Sequence, residues 1–168
     1  MNTTSSKEFS LLNHKPALFV LFFTEMWERF SYYGMRAIFV LFLTASFSDG
    51  GWEWTRERAL GLLGIYTSSV YLTPLIGGII ADKLLGYQKA VALGALIMTL
   101  GHASMSLETE TTLYLGICLL IIGNGLFKPN VTSMVSGLYD KYPERKDGAF
   151  TIFYMGVNAG GFLGVLLC

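Results

Sequence analysis

The chain has 168 residues, 52% of them hydrophobic and 14% charged, with a mean hydropathy of +0.49. That excludes an ordinary soluble domain, and 19 glycines suit the close helix–helix contacts found in membranes. Lys and Arg total 12 against 12 Asp and Glu, so no charge excess points to a nucleic-acid partner.

Residues 1–15 are polar and lack an apolar core and a cleavage site, so they read as a short cytoplasmic tail, not a signal peptide. Five apolar stretches follow, near 16–44, 59–81, 90–107, 111–138 and 148–168. Each is close to the roughly 20 residues that a bilayer core requires. The expected fold class is an all-α polytopic membrane protein. A soluble helical bundle does not account for five such stretches joined by short charged connections. With the N-terminus inside, inner segments hold Lys7, Lys15, Lys83, Lys89, Lys141, Arg145 and Lys146, and outer loops hold only Arg56 and Arg58. That bias predicts a cytoplasmic N-terminus.

Helix 1 carries Glu25, Glu28, Arg29 and Arg36 in an otherwise apolar run, with Tyr32 and Tyr33 between them. Each charge near a bilayer centre costs roughly 2.5–3.5 kcal/mol, so such residues usually have a function. At about 100° per residue, Glu25, Arg29, Tyr32 and Arg36 lie within about 60° of one another, flanked by Glu28 and Tyr33. A single charged seam of this kind faces a polar cavity, not lipid. Arg29 favours ionised Glu25 and Glu28 while desolvation favours their protonated forms, a balance that changing hydration can tip.

On helix 2, Tyr71 precedes Pro74 and the pair Gly77-Gly78; alone it also reads as a packing tyrosine. The connection from Gly78 to Lys89 places Asp82, Lys83, Gly86 and Lys89 in a tight inner loop able to bond neighbouring helix ends. His102 on helix 3 reads as an interfacial or satisfied histidine. On helix 4, Lys128 lies about 25 Å from the outer end, and Pro129 should open the hydrogen-bond ladder beside it. A lysine at such a break suits an anionic group, although it could instead snorkel to the headgroups. Asn158 on helix 5 lies about 15 Å deep and reads equally as inter-helix glue. Gly156, Gly160 and Gly164, at four-residue spacing, allow close helix approach.

Cys118 and Cys168 imply no disulfide framework, and the Asn2 and Asn130 glycosylation patterns read as chance matches. No metal-ligand spacing, nucleophile elbow or phosphate loop indicates an enzyme.

Glu25-Met26-Trp27-Glu28-Arg29-Phe30-Ser31-Tyr32-Tyr33-Gly34 resembles the E-x-x-E-R-F-x-Y-Y-G signature of the proton-dependent oligopeptide transporters, within the major facilitator superfamily. The 82–89 connection resembles the superfamily's motif between helices 2 and 3, and segments 123–130 and 150–158 resemble the family's helices 4 and 5. The resemblance runs from about Leu18 to the end of the chain. It implies proton coupling by Glu25, Glu28 and Arg29, receipt of the peptide carboxylate by Arg36 and Lys128, and contact of the pocket with Tyr32, Tyr33 and Tyr71. Asn158 would bind the peptide backbone, and Gly78, Asp82, Lys83, Gly86 and Lys89 would form the gating loop. Gly64 stands where animal members carry a proton-linked histidine, so the chain resembles prokaryotic members.

The implied activity is proton-coupled symport of di- and tripeptides across the cell membrane, with the proton gradient as driving force and no cofactor, metal or nucleic acid. The superfamily fold has twelve spans in two six-helix halves, so this chain is expected to supply the first five, an incomplete N-terminal half. The C-terminal helices would then be required for function, and the segment alone would be inactive. Other readings are a scaffold carrying another small solute such as nitrate or an amino-acid-like substrate, a truncated remnant, or a membrane protein whose polar seam binds a partner helix. Five intramembrane charges would cost roughly 12–18 kcal/mol if uncompensated, far more than partner choice requires.

Overall fold

The computed structural model describes residues 14–168; most of the expected N-terminal tail, including the Asn2 pattern, lies outside the described residues. Five helices carry the described chain: α1 (Pro16–Thr44), α2 (Arg56–Ile80), α3 (Tyr87–Met105), α4 (Glu110–Leu138) and α5 (Lys146–Leu167). Large apolar side chains such as Val20, Trp27, Leu75, Ile79, Phe162 and Leu166 stand exposed on them, as a lipid-solvated exterior allows. Three helical stretches are long and apolar enough to cross a membrane: Arg56–Leu85, Glu110–Leu138 and Pro143–Leu167. Of the other two expected spans, α1 has ample length but carries four ionisable residues, and the 19-residue α3 includes Gln88, Lys89 and His102.

Local chemistry sets the helix ends. Pro16 opens α1, where its missing N–H has no helical acceptor to lose. At the other end the chain doubles back, so that Trp54 N–H donates to the Leu43 carbonyl at 2.8 Å and Glu53 N–H to that of Ala45 at 2.9 Å. Carbonyls that a helix end leaves open are thereby satisfied. Before α4, Thr109 and Thr112 cap each other: each side-chain oxygen accepts the other's backbone N–H at 3.2 Å.

The connection read from sequence as a loop over 82–89 is mostly helical. A π-helical turn, Ala81–Leu85, continues α2, and α3 starts at Tyr87. Gly86 N–H bonds the Ala81 carbonyl at 2.8 Å, so the helix widens for one turn rather than unwinding. The reversal rests on Gly86 (φ 74°, ψ 154°), a conformation open essentially to glycine alone.

The chain divides into two compact units, one comprising residues up to Ala59 with Val135–Cys168, the other Leu60–Met134. In the first, α5 packs along α1 through its glycines. A Cβ on Gly156 would lie 2.9 Å from the Phe22 carbonyl, one on Gly160 would strike that of Met26, and one on Gly164 would lie 2.5 Å from that of Phe30. Four-residue spacing on α5 thus meets four-residue spacing on α1, the close approach expected of small-residue seams. Leu18, Phe39, Leu43, Tyr139 and Phe153 fill this unit's core.

In the second unit, Gly94 lies against the Gly123 carbonyl and Gly101 against that of Gly116, so α3 and α4 cross closely twice. Gly77 of α2 abuts the Gly125 carbonyl of α4, and Thr73 Oγ1 donates to Ile121 at 3.2 Å across the same pair. Phe127 and Val131 are buried among these helices.

Candidate functional site

The α1 seam is built on one residue. Arg29 Nε lies 3.0 Å from Glu25 Oε1 and 2.5 Å from Glu28 Oε2, with all three side chains 5–8% exposed. Glu25 meets Arg29 because residues four apart stack on one helix face, while Glu28 reaches it from the adjoining position. Tyr32, also buried, continues the seam: the Arg29 guanidinium lies 5.5 Å from its ring centroid and that of Arg36 5.6 Å. Tyr32 therefore separates an arginine held by two carboxylates from an arginine that is half-buried and one turn further on. The guanidinium–aromatic contacts hold the order along the helix.

Helix α5 closes over this seam. A Cβ on Gly160 would lie 3.0 Å from the Arg29 Cβ, and one on Gly161 3.3 Å from the Tyr33 ring. Tyr33 also packs edge-on against Tyr32, with centroids 5.2 Å apart. Asn158 is not part of this contact. It is exposed, and it stands about 200° around α5 from both Gly156 and Gly160.

Tyr71 and Lys128 meet in the second unit, where the lysine Nζ lies 5.0 Å from the tyrosine ring centroid. The ring is exposed and Lys128 half-buried, so the ammonium rests on an aromatic face and is not fully extended toward the end of α4. Helix α4 runs unbroken through Pro129. The carbonyl that Pro129 cannot serve, that of Gly125, is the one that Gly77 abuts.

Among the turn residues, Asp82, Lys83, Gly86 and Lys89 are exposed. A Cβ on Gly78 would meet only Pro129 Cβ, at 3.9 Å, an ordinary contact. Gly77 makes the close crossing, and two adjacent glycines carry no sequence signal to tell them apart.

A further cluster escaped the sequence reading. The fully buried Tyr139 hydroxyl lies 2.9 Å from His14 Nδ1 and accepts the Lys15 backbone N–H at 3.1 Å. With that N–H already donated to the oxygen, the phenol proton is available for an unprotonated Nδ1. Burial pushes the Tyr139 phenol above its ordinary value, while the Lys15 N–H and Arg145 pull the other way. Lys146 pairs with Asp140 at 3.5 Å beside it, and Lys15 Nζ lies over the Tyr142 ring. The start of α1 is thus fastened to the α4–α5 connection. The signal available in sequence was a tyrosine beside a charged turn, too common to single out.

Among the described residues no group of three or more His, Cys, Asp or Glu side chains could hold a metal ion. Asn130 is 1% exposed inside α4, which rules it out as a glycosylation acceptor here.

Residues 88–168 match the family model described as "POT family". The peptide transporter YePEPT of Yersinia enterocolitica is 41% identical over 99% of this chain and 33% of its own length. A di-/tripeptide transporter of Lactococcus lactis is 38% identical over 99% of this chain and 34% of its own length. The crystal structure of a POT family transporter in complex with a thioalcohol-conjugated peptide superposes with a TM-score of 0.91 at 35% identity, over 95% of this chain and 33% of that one. The chain therefore spans about a third of the length of the relatives it matches. It is a fragment of a multi-pass, all-α membrane fold, and it belongs to the POT family.

Proposed function

We propose that this chain is the leading part of a proton-coupled symporter that moves di- and tripeptides across the cell membrane by alternating access, with its N-terminus in the cytoplasm. The observation that carries the reading is Arg29 held between Glu25 and Glu28 in a buried seam. Relatives described as peptide and di-/tripeptide transporters support the substrate class, and the Lys/Arg bias of the connections supports the orientation. The helices needed for two halves to rock against each other would come from the remainder of the complete protein.

The formal charges of α1 give the coupling a physical basis. Glu25 and Glu28 bring two negative charges, Arg29 and Arg36 two positive ones. The seam is neutral when empty, and neutral again when a proton on a glutamate and a peptide carboxylate on Arg36 arrive together. Either passenger alone leaves one unbalanced charge, and an uncompensated buried charge costs about 3–5 kcal/mol. Movement of the singly loaded seam is therefore disfavoured by orders of magnitude. Arg36 receives the carboxylate with two parallel hydrogen bonds, and Lys128 offers a second cation to the same class of group. Recognition through peptide termini and backbone lets side chains vary.

The test is uptake of a labelled dipeptide by the complete protein in proteoliposomes under an imposed proton gradient. Glu25→Gln and Glu28→Gln should each abolish the gradient-driven component. Full proton-driven uptake by both variants overturns the coupling role, and no dipeptide uptake by the unaltered protein overturns the substrate class.

A further inference from the structure

We propose that Asn130 is a positioning residue for Lys128: its buried amide locks α4 to α2 at Gly77 and so holds the lysine ammonium over Tyr71. The proposal rests on the peptide reading above, in which Lys128 meets the substrate carboxylate.

Pro129 has no N–H, so the Gly125 carbonyl loses its intrahelical donor inside a membrane helix, where water cannot replace it. Gly77 packs its own backbone against that carbonyl, so close that any Cβ would collide with it. Asn130 sits immediately after this proline, in a helix that stays continuous through it. Its Nδ2 donates to the Leu126 carbonyl at 2.6 Å and reaches the Gly77 carbonyl of α2 at 3.5 Å. Leu126 lies one turn back on α4, so the amide spans the weakened turn and ties it to the residue that packs against it. At 1% exposure, a group with two donors has no solvent alternative.

The consequence falls on the neighbours. Lys128 is two residues before Asn130, and Tyr71 is six residues before Gly77. Their 5.0 Å contact holds only for one register of the two helices. A slip by one turn displaces them by about 5.4 Å along the axis, enough to carry the ammonium off the ring. Thr73 Oγ1 shares its one proton between the Ser69 carbonyl of its own helix at 3.0 Å and that of Ile121 across the pair at 3.2 Å, a second link between the two helices on the Tyr71 side of Gly77.

Merely structural glue would lower stability and weaken every ligand equally, whereas a positioning role selects for the carboxylate. The experiment compares binding of Ala-Ala with that of its C-terminal amide by the complete protein, with thermal unfolding measured alongside. Asn130→Leu should weaken Ala-Ala about tenfold and the amide less than twofold, while Asn130→Ser, which keeps a donor for Leu126 but cannot reach Gly77, should fall between. Added to Lys128→Ala, Asn130→Leu should change the ratio of the two affinities no further. Equal losses for both peptides, or a further fall in the ratio in the Lys128→Ala background, overturns the positioning role. If Lys128→Ala lowers the ratio and neither Asn130 variant does, Asn130 plays no such part and the reading of Lys128 stands. If Lys128→Ala leaves the ratio unchanged, the carboxylate role of Lys128 fails and the positioning role falls with it.

Discussion

Gly160 of α5 lies so close to Arg29 of α1 that a Cβ on it would stand 3.0 Å from the Arg29 Cβ and strike the Met26 carbonyl. The packing of these helices and the geometry of the charged seam are therefore one feature. Gly160→Ala must push α5 outward at the point where Arg29 is held against Glu25 and Glu28. Overpacking of this kind costs about 1–3 kcal/mol. Thermal unfolding in detergent should show the loss, and in the complete protein gradient-driven uptake should fall further than for Gly61→Ala, where a Cβ meets nothing within 4 Å.

The Tyr139 hydroxyl serves both His14 and the Lys15 backbone, so Tyr139→Phe leaves two half-buried polar groups without this partner. The expected cost is about 1–3 kcal/mol, read as a lower unfolding midpoint. The wild-type protein should also respond to alkaline pH. Burial raises the Tyr139 phenol above its unfolded value of about 10, so its contribution is fully present below that pH and is lost as pH rises through the folded value. A pH series above about 9 should show a steeper fall in stability for wild type than for Tyr139→Phe.

How much of this was legible in the chain depends on contrast. Glu25, Glu28, Arg29 and Arg36 stood out because charges interrupt an apolar run, and helical geometry alone placed them on one side. Gly156, Gly160 and Gly164 were legible as packing because their spacing repeats. What could not be read depended on phase between helices. Gly77 and Gly78 are equivalent in sequence, yet only Gly77 faces the Gly125 carbonyl. Asn158 and Gly160 are neighbours in sequence but occupy opposite sides of α5, and nothing local says which side meets α1. The π-turn at Ala81–Leu85 was hidden because charged residues before a glycine look like a loop whether or not the helix continues.

The reversal at Gly86 gives an independent test of that turn. Its φ of 74° and ψ of 154° place it where a side chain is strained by about 1–3 kcal/mol. Gly86→Ala has open space for its methyl, so the whole effect should come from backbone strain. The expected outcome is faster amide exchange over Ala81–Leu85, with protection of α4 unchanged.

Arg36 supplies the last test, because it separates charge from geometry. Its guanidinium lies 5.6 Å from the Tyr32 centroid, and it is the arginine of the seam that the two glutamates do not hold in an ion pair. A carboxylate can take two parallel hydrogen bonds from it, whereas a lysine at the same position keeps the charge and loses the planar fork. Arg36→Lys in the complete protein should weaken dipeptide binding about tenfold, on the order of 1.4 kcal/mol. The C-terminal amide should lose much less, since it cannot form the paired ionic bonds. Unchanged dipeptide affinity in Arg36→Lys would mean that charge alone is read at this position, and the paired hydrogen bonds would have no part in recognition.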